Sequence, residues 1–253
     1  MREIKGMSVL VTGGGSGICE GVARLFAARG ARVTISGRRK DKVDAVAASI
    51  GAACRAVVGD VTRQADRQAM LDAALAHGGK LDVLVNYAAN MYRQAVGAYT
   101  EEFLKEAFNT NVVSGMMLSS MAVPMLEATQ GAIIFLGSIH NRRAYPGASP
   151  YAATKAAVEG LTRVMAAELG RQQIRVGCVL PGAVRTEINL RAGLFTTEQA
   201  DARYAAIAPD HALGRIGTVE DVAEAIAYLA GADWVTGVAL EVDGGLGLGV
   251  SKF

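Results

Sequence analysis

Cysteine is scarce in this chain of 253 residues: Cys19, Cys54 and Cys178 stand far apart and form no Cys-x-x-Cys pair. An odd number at such spacing carries no disulfide framework and no zinc knuckle, and it predicts a reducing compartment. Histidine is equally thin, and His77, His140 and His211 show none of the spacings that hold a metal ion. Neither sign of charge prevails. The 26 basic and 24 acidic residues leave a net charge of +2, which gives no field of the kind that nucleic acid or an anionic membrane requires, so neither is expected as a partner. Long apolar runs are missing too: a membrane span needs about 18 or more such residues, and the stretch 112–126 is interrupted by Ser114, Ser119, Ser120 and Pro124. The opening residues mix Arg2, Glu3 and Lys5, and a glycine-rich turn follows before any stretch apolar enough for a signal peptide. A soluble, cytoplasmic protein is the expectation.

What the chain does have is apolar content, 51% of its residues, enough at this length for a large core in one domain spanning 1–253. Runs rich in Val, Ile and Leu recur at 8–12, 31–36, 54–60, 81–86, 131–137, 174–180 and 238–242. Most lack alternation, so both faces should be covered, as in a parallel sheet flanked by helices. Helical spacing marks 18–29, 63–77, 110–127, 151–169 and 219–230. The pattern predicts an α/β fold: a doubly wound, parallel, seven-stranded sheet of Rossmann type with helices on both faces. The stretch 187–212 is the least regular, and it follows a strand's C-terminal end, where ligands bind in open sheets. It is a candidate substrate lid.

After the first strand comes Thr12-Gly13-Gly14-Gly15-Ser16-Gly17-Ile18-Cys19. Alone, such a cluster is either an ordinary turn or a phosphate cradle in which backbone N–H groups at a helix N-terminus face a pyrophosphate. Its place between a first strand and a first helix favours the cradle. Roughly 20 residues on, where an acid would grip the ribose of NAD, the sequence reads Ser36-Gly37-Arg38-Arg39-Lys40. Arg38 and Arg39 are either a solvated helix start or bidentate donors for a 2′-phosphate, which favours NADP(H) over NAD(H).

Tyr151 and Lys155 stand four apart in a helical segment, which puts phenol and ammonium on one face. That interval is weak by itself. Ser138, however, ends the fifth strand 13 residues earlier, and Asn111 opens the helix before that strand. The four together, with the glycine run, resemble the short-chain dehydrogenase/reductase family: Asn-Ser-Tyr-Lys in order and spacing, and Thr-Gly-x-x-x-Gly-x-Gly with Gly13 and Gly17 in place.

The resemblance covers nearly the whole chain and implies an enzyme that moves a hydride between a nicotinamide and a secondary alcohol or ketone. Tyr151 would be general acid and base, with an adjacent ammonium expected to lower its pKa from about 10. Ser138 would hold the reacting oxygen, Lys155 would also bond the nicotinamide ribose, and Asn111 would position a relay water. The family's cofactor contacts fall on Gly13, Gly15, Ser16, Gly17 and Ile18, on Asp60 and Val61 beside the adenine, and on Asn86 and Ala88. They continue through Pro181, Gly182, Val184 and Thr186 at the nicotinamide. Val242-Asp243-Gly244-Gly245 matches a structural signature of the family. A homodimer or homotetramer is implied, built on the helix after Asn111 and the Tyr151 helix.

This sequence departs from the pattern at four points: Cys19 for the last glycine, Tyr87 and Ala89 in the usual Asn-Asn-Ala-Gly turn, and Gly177 for an asparagine. Cys19, Tyr87 and Ala89 keep open a noncatalytic dinucleotide-binding module, and an NAD(H)-dependent dehydrogenase of the same family is the other alternative. An enoyl reductase, the third alternative, spaces its Tyr and Lys more widely. Arg93, Arg142 and Arg143 are either exposed loop residues or the rim of a pocket for an anionic or polyhydroxylated substrate. His140 either lines that pocket or is a loop histidine. Met116, Met117, Met121 and Met125 read as core or subunit interface.

Overall fold

Val9, Leu10 and Val11 follow one another in β1 (Ser8–Thr12), and all three are fully buried. Successive strand side chains point to opposite faces, so both faces must be covered. The computed structural model describes residues 1–249, and 250–253, the end of the expected domain, lie outside the described residues. Val9 and Val11 enter one core with Phe26 of α1 (Gly17–Ala28), Val43 of α2 (Lys40–Ile50) and Ile226 of α9 (Val219–Gly231). Leu10 enters a second with Leu71 of α3 (Gln64–Gly78), Leu118 of α5 (Ser114–Thr129) and Val158 of α6 (Ser149–Leu169).

The sheet is seven-stranded and parallel throughout. It adds β2 (Arg32–Gly37), β3 (Cys54–Val58), β4 (Val83–Asn86), β5 (Ala132–Leu136), β6 (Arg175–Pro181) and β7 (Val238–Val242), in the order β3-β2-β1-β4-β5-β6-β7. The expected strands at 8–12 and 238–242 have the observed bounds, and the others shift by one or two residues. Strand order reverses between β1 and β4, which opens a crevice beyond their carboxyl ends.

The helices depart more from expectation. α2 and α4 (Glu101–Phe108) were not among the expected helices. The segment expected at 110–127 continues α4 through a π turn, Asn109–Val113, into α5. Asn111 is therefore inside a 29-residue helical run, Glu101–Thr129, and does not open it. By length and hydropathy alone that run could cross a membrane. The burial of its Leu118, Ala122 and Leu126 in the second core explains part of its apolar character. The stretch 187–212 is also more regular than expected, holding α7 (Ile188–Arg191) and α8 (Thr197–Ile207), the latter started by a Thr196–Gln199 capping box.

Two features fasten α9 to β6. Buried Arg175 donates to the carbonyls of Leu229 (2.7 Å), Ala230 (2.8 Å) and Ala232 (3.1 Å), satisfying acceptors at the helix end. At Gly177 a Cβ would stand 3.0 Å from Leu229 Cδ1, so the missing side chain lets the helix approach the strand.

Candidate active site

The turn after β1 is folded tightly against the turn after β4. Gly13 has φ +76°, a left-handed conformation that favours glycine, and a Cβ there would meet Ala88 Cα at 3.3 Å. Thr12 Oγ1 accepts from the backbone N–H groups of Tyr87 and Ala88, joining the two turns. Ser16 begins α1 without a side-chain cap, and its hydroxyl instead accepts from Arg39 Nη2 at 3.1 Å. A cavity of about 440 Å3 opens over this turn. Gly13, Gly15, Ser16, Gly17, Ile18, Arg38, Arg39, Asp60, Val61, Ala88 and Thr186 all line it. Arg38 lies 3.8 Å from Asp60, and Arg39 pairs with Glu187 at 3.2 Å.

Ser138 and Tyr151 border a second cavity of about 100 Å3, together with Pro181, Gly182, Val184 and Thr186. The two cavities share Ile18, Tyr87, Met91, Arg93, Thr186 and Ile188, so they adjoin. Ser138 caps a short 3-10 turn by accepting from the His140 N–H, and His140 Nδ1 lies 3.0 Å from its hydroxyl oxygen. The His140 ring meets Tyr151 edge to face, with centroids 5.1 Å apart. Lys155, one helical turn after Tyr151, donates to the Leu136 carbonyl at 2.7 Å. Its Nζ stands 5.3 Å from the Tyr87 ring centroid and 5.6 Å from that of Tyr151.

The electrostatics correct one expectation. Burial pushes the Tyr151 phenol up to about 12, opposed only by the Ser138 hydroxyl, and burial also draws the Lys155 ammonium down to about 8. The expected lowering of Tyr151 by Lys155 is absent, because burial desolvates both groups and outweighs the attraction between them. Burial, aided by Arg93 and Arg203, lowers His140 to about 4.

Three expected site residues, Asn111, Asn86 and Lys155, line neither of these cavities. Asn111 is buried and clasps a loop, accepting from the Asn90 N–H (3.0 Å) and donating to its carbonyl (3.1 Å) and to Thr154 Oγ1 (3.1 Å). Asn86 donates to Ser119 and faces, with Asn111 and Lys155, a small recess behind the site.

The departures from the family pattern resolve individually. Cys19 is fully buried in the first core, where burial raises its thiol pKa. Tyr87 turns inward between the two cavities, and Ala89 offers its carbonyl to Arg191 at 3.3 Å. Arg142 is engaged by Glu159 and Glu241 and Arg143 by Asp210, whereas Arg93 does reach the cavities. Met116 and Met117 are exposed while Met121 and Met125 pack on the second core, so the stripe is not one core face. Sequence reasoning missed Arg191, Arg203 and Tyr204. They lie in or near the cavities on α7 and α8, whose only readable signal is the capping box.

A family model described as Enoyl-(Acyl carrier protein) reductase matches residues 13–247. The chain belongs to the short-chain dehydrogenase/reductase family. Oxidoreductase asL5 of Sarocladium schorii is 34% identical over 249 residues, covering 97% of this chain and 98% of its own. The 3-oxoacyl-[acyl-carrier-protein] reductase FabG of Chlamydia muridarum is 33% identical, covering 94% and 96% respectively. Among solved structures, the 3-ketoacyl-(acyl-carrier-protein) reductase of Brucella melitensis, complexed with NADH, is 32% identical with a TM-score of 0.87, covering 96% and 99%. The protein is thus a short-chain oxidoreductase whose relatives include nicotinamide dinucleotide enzymes.

Proposed function

We propose that this short-chain oxidoreductase uses NADP(H) to interconvert a secondary alcohol and a ketone, with Tyr151 transferring the proton. The observation that carries the proposal is the adjacency of two cavities, one over the Gly13–Ile18 turn and one bordered by Ser138 and Tyr151. The larger one fits a dinucleotide in chemistry as well as size: free N–H groups at a helix start for the pyrophosphate, and no carboxylate in 36–40 to oppose a 2′-phosphate. Arg38 and Arg39 would receive that phosphate, Asp60 and Val61 would face the adenine, and Thr186 the nicotinamide. The dinucleotide supplies the hydride in reduction and accepts it in oxidation.

The side chains do the rest. Tyr151, a phenol held protonated near neutrality, donates to the carbonyl oxygen in reduction and takes the proton back in oxidation. Ser138 holds the same oxygen by its hydroxyl. Lys155 has donors to spare beyond Leu136 and would orient the ribose. Asn111 fixes the loop that carries Asn90 and Met91. The segment 187–212 serves as a lid. Exposed Phe108, Val113, Met116 and Met117 on the 101–129 helical run, with Val164 on α6, provide the apolar face of a homodimer or homotetramer.

The names of the 3-oxoacyl reductases favour a carbonyl substrate, and so does the four-residue Tyr151–Lys155 interval, against the enoyl reduction in the family model's description. Fluorescence titration with NADPH and NADH, then cofactor oxidation with a panel of ketones, tests the proposal. Expected are tighter NADPH binding and turnover that Tyr151→Phe removes while cofactor binding survives. Turnover undiminished in Tyr151→Phe would refute it.

A further inference from the structure

The smaller cavity has an unbalanced lining. Arg93 and Arg203 border it, with the His140 imidazole and the phenols of Tyr145, Tyr151 and Tyr204, and no Asp or Glu is among its walls. Four other arginines at this end of the sheet are matched by carboxylates, Arg38 by Asp60, Arg39 by Glu187, Arg143 by Asp210 and Arg185 by Asp201, while Arg191 on the larger cavity donates to the Ala89 carbonyl. Among the described residues, Arg93 and Arg203 have no such partner. Arg93 donates Nη2 to the Pro146 carbonyl at 2.6 Å, and Arg203, exposed at the rim, stacks its guanidinium 5.4 Å from the Phe195 ring centroid.

The two cations act on the same space. Burial and the charge of Arg203 both hold the Arg93 pKa below its usual value, and both guanidiniums help keep His140 neutral. Like charges bordering one cavity without a counter-ion are unfavourable, and an anion placed between them relieves the repulsion. Each guanidinium retains planar donors suited to a carboxylate or phosphate. Arg93 comes from the segment after β4 and Arg203 from α8, so an anion bound by both would tie the candidate lid to the body of the molecule.

We infer that the substrate carries an anionic group, a carboxylate or a phosphate, received by Arg93 and Arg203 a short distance from the carbonyl held at Ser138 and Tyr151. The inference rests on the oxidoreductase proposal for the reacting end of the molecule.

The test compares 2-oxobutanoate, 3-oxobutanoate and 4-oxopentanoate with their methyl esters, and dihydroxyacetone phosphate with dihydroxyacetone. Binding to the protein loaded with NADP+, which cannot reduce the ketone, is measured by calorimetry, and kcat/KM by NADPH oxidation. For at least one pair the anion is expected to be preferred by tenfold or more. Arg93→Gln and Arg203→Gln should each reduce that preference about tenfold, and Arg203→Lys should restore part of it. Which pair responds separates carboxylate from phosphate. A preference near one for every pair, or one that neither glutamine variant changes, overturns the inference. So does a loss of NADPH binding in Arg93→Gln matching its loss of anion preference, which would assign Arg93 to the cofactor. Neutral ketones reduced with no preference for anions would leave the oxidoreductase proposal standing alone. Anions bound with that preference but never reduced would sink that proposal and uphold the anion site.

Discussion

The Nδ1 of His140 lies 3.0 Å from the hydroxyl oxygen of Ser138, so a neutral imidazole is built into the wall of the smaller cavity. Its pKa of about 4 is below the ordinary 6.5. Between those values the unfolded chain holds a proton that the folded protein does not, so stability is complete above about pH 6.5 and falls as the pH drops toward 4. The loss is at most about 3 kcal/mol. Urea unfolding at pH 7 and pH 4.5 should show a drop in midpoint that is smaller in His140→Gln; equal drops in both proteins would contradict the assignment.

Lys155, drawn down to about 8, should set the alkaline limb of carbonyl reduction, since Tyr151 at about 12 stays protonated well beyond it. The expected profile of kcat/KM for the free enzyme declines as the pH rises past about 8. A profile flat to pH 10 would remove Lys155 from that role.

Cofactor choice should turn on Arg38, which is 63% exposed on its side chain and held only by a 3.8 Å approach to Asp60. Arg38→Asp is expected to weaken NADPH about tenfold to a hundredfold while sparing or improving NADH, as read by fluorescence titration. Equal weakening of both would mean that Arg38 serves the fold and not the 2′-phosphate. Arg39 is a poorer probe, because its bonds to Ser16 and Glu187 couple it to the turn and to the candidate lid.

Arg175→Met should lower stability by about 2–4 kcal/mol, because three carbonyls at the end of α9 lose a charged donor. Urea midpoints report the change, with the slope unaltered if the unfolded state is unaffected. A variant as stable as the parent would show that water satisfies those carbonyls.

The sheet was legible because most of its strands, such as Ser8–Thr12, are buried on both faces and all read as short apolar runs; the half-buried edge strand Val238–Val242 was read to the residue from its run of Val, Ala and Leu. α2 was not legible, since Val43 and Val46 are its only buried residues; α4 did carry a signal, with Phe103, Leu104, Ala107 and Phe108 at helical spacing behind a Thr100 cap, but it is only eight residues long. Ser138, Tyr151 and the glycine turn were legible from order and spacing, and the structure gathers them. Arg203 and Tyr204 were hidden because their position depends on how α8 folds back over the crevice. The Thr196-x-x-Gln199 cap could have announced that helix. The state of Tyr151 was misjudged because spacing shows that a lysine is near but not how deeply both groups are buried.

The π turn at Asn109–Val113 makes the helical run sensitive to residue number as well as residue type. One residue advances an α-helix by about 100°, and a π turn absorbs one more than an α turn would. If it relaxed to α geometry at unchanged length, Leu118, Ala122 and Leu126 would rotate by about 100° off the sheet, whereas deleting one residue would remove the surplus and keep their phase. The surplus residue thus sets where Asn111 stands relative to the core-facing side, so a single deletion here should spare the packing of Leu118, Ala122 and Leu126 while loosening the Asn90 loop, and a further insertion should disturb both.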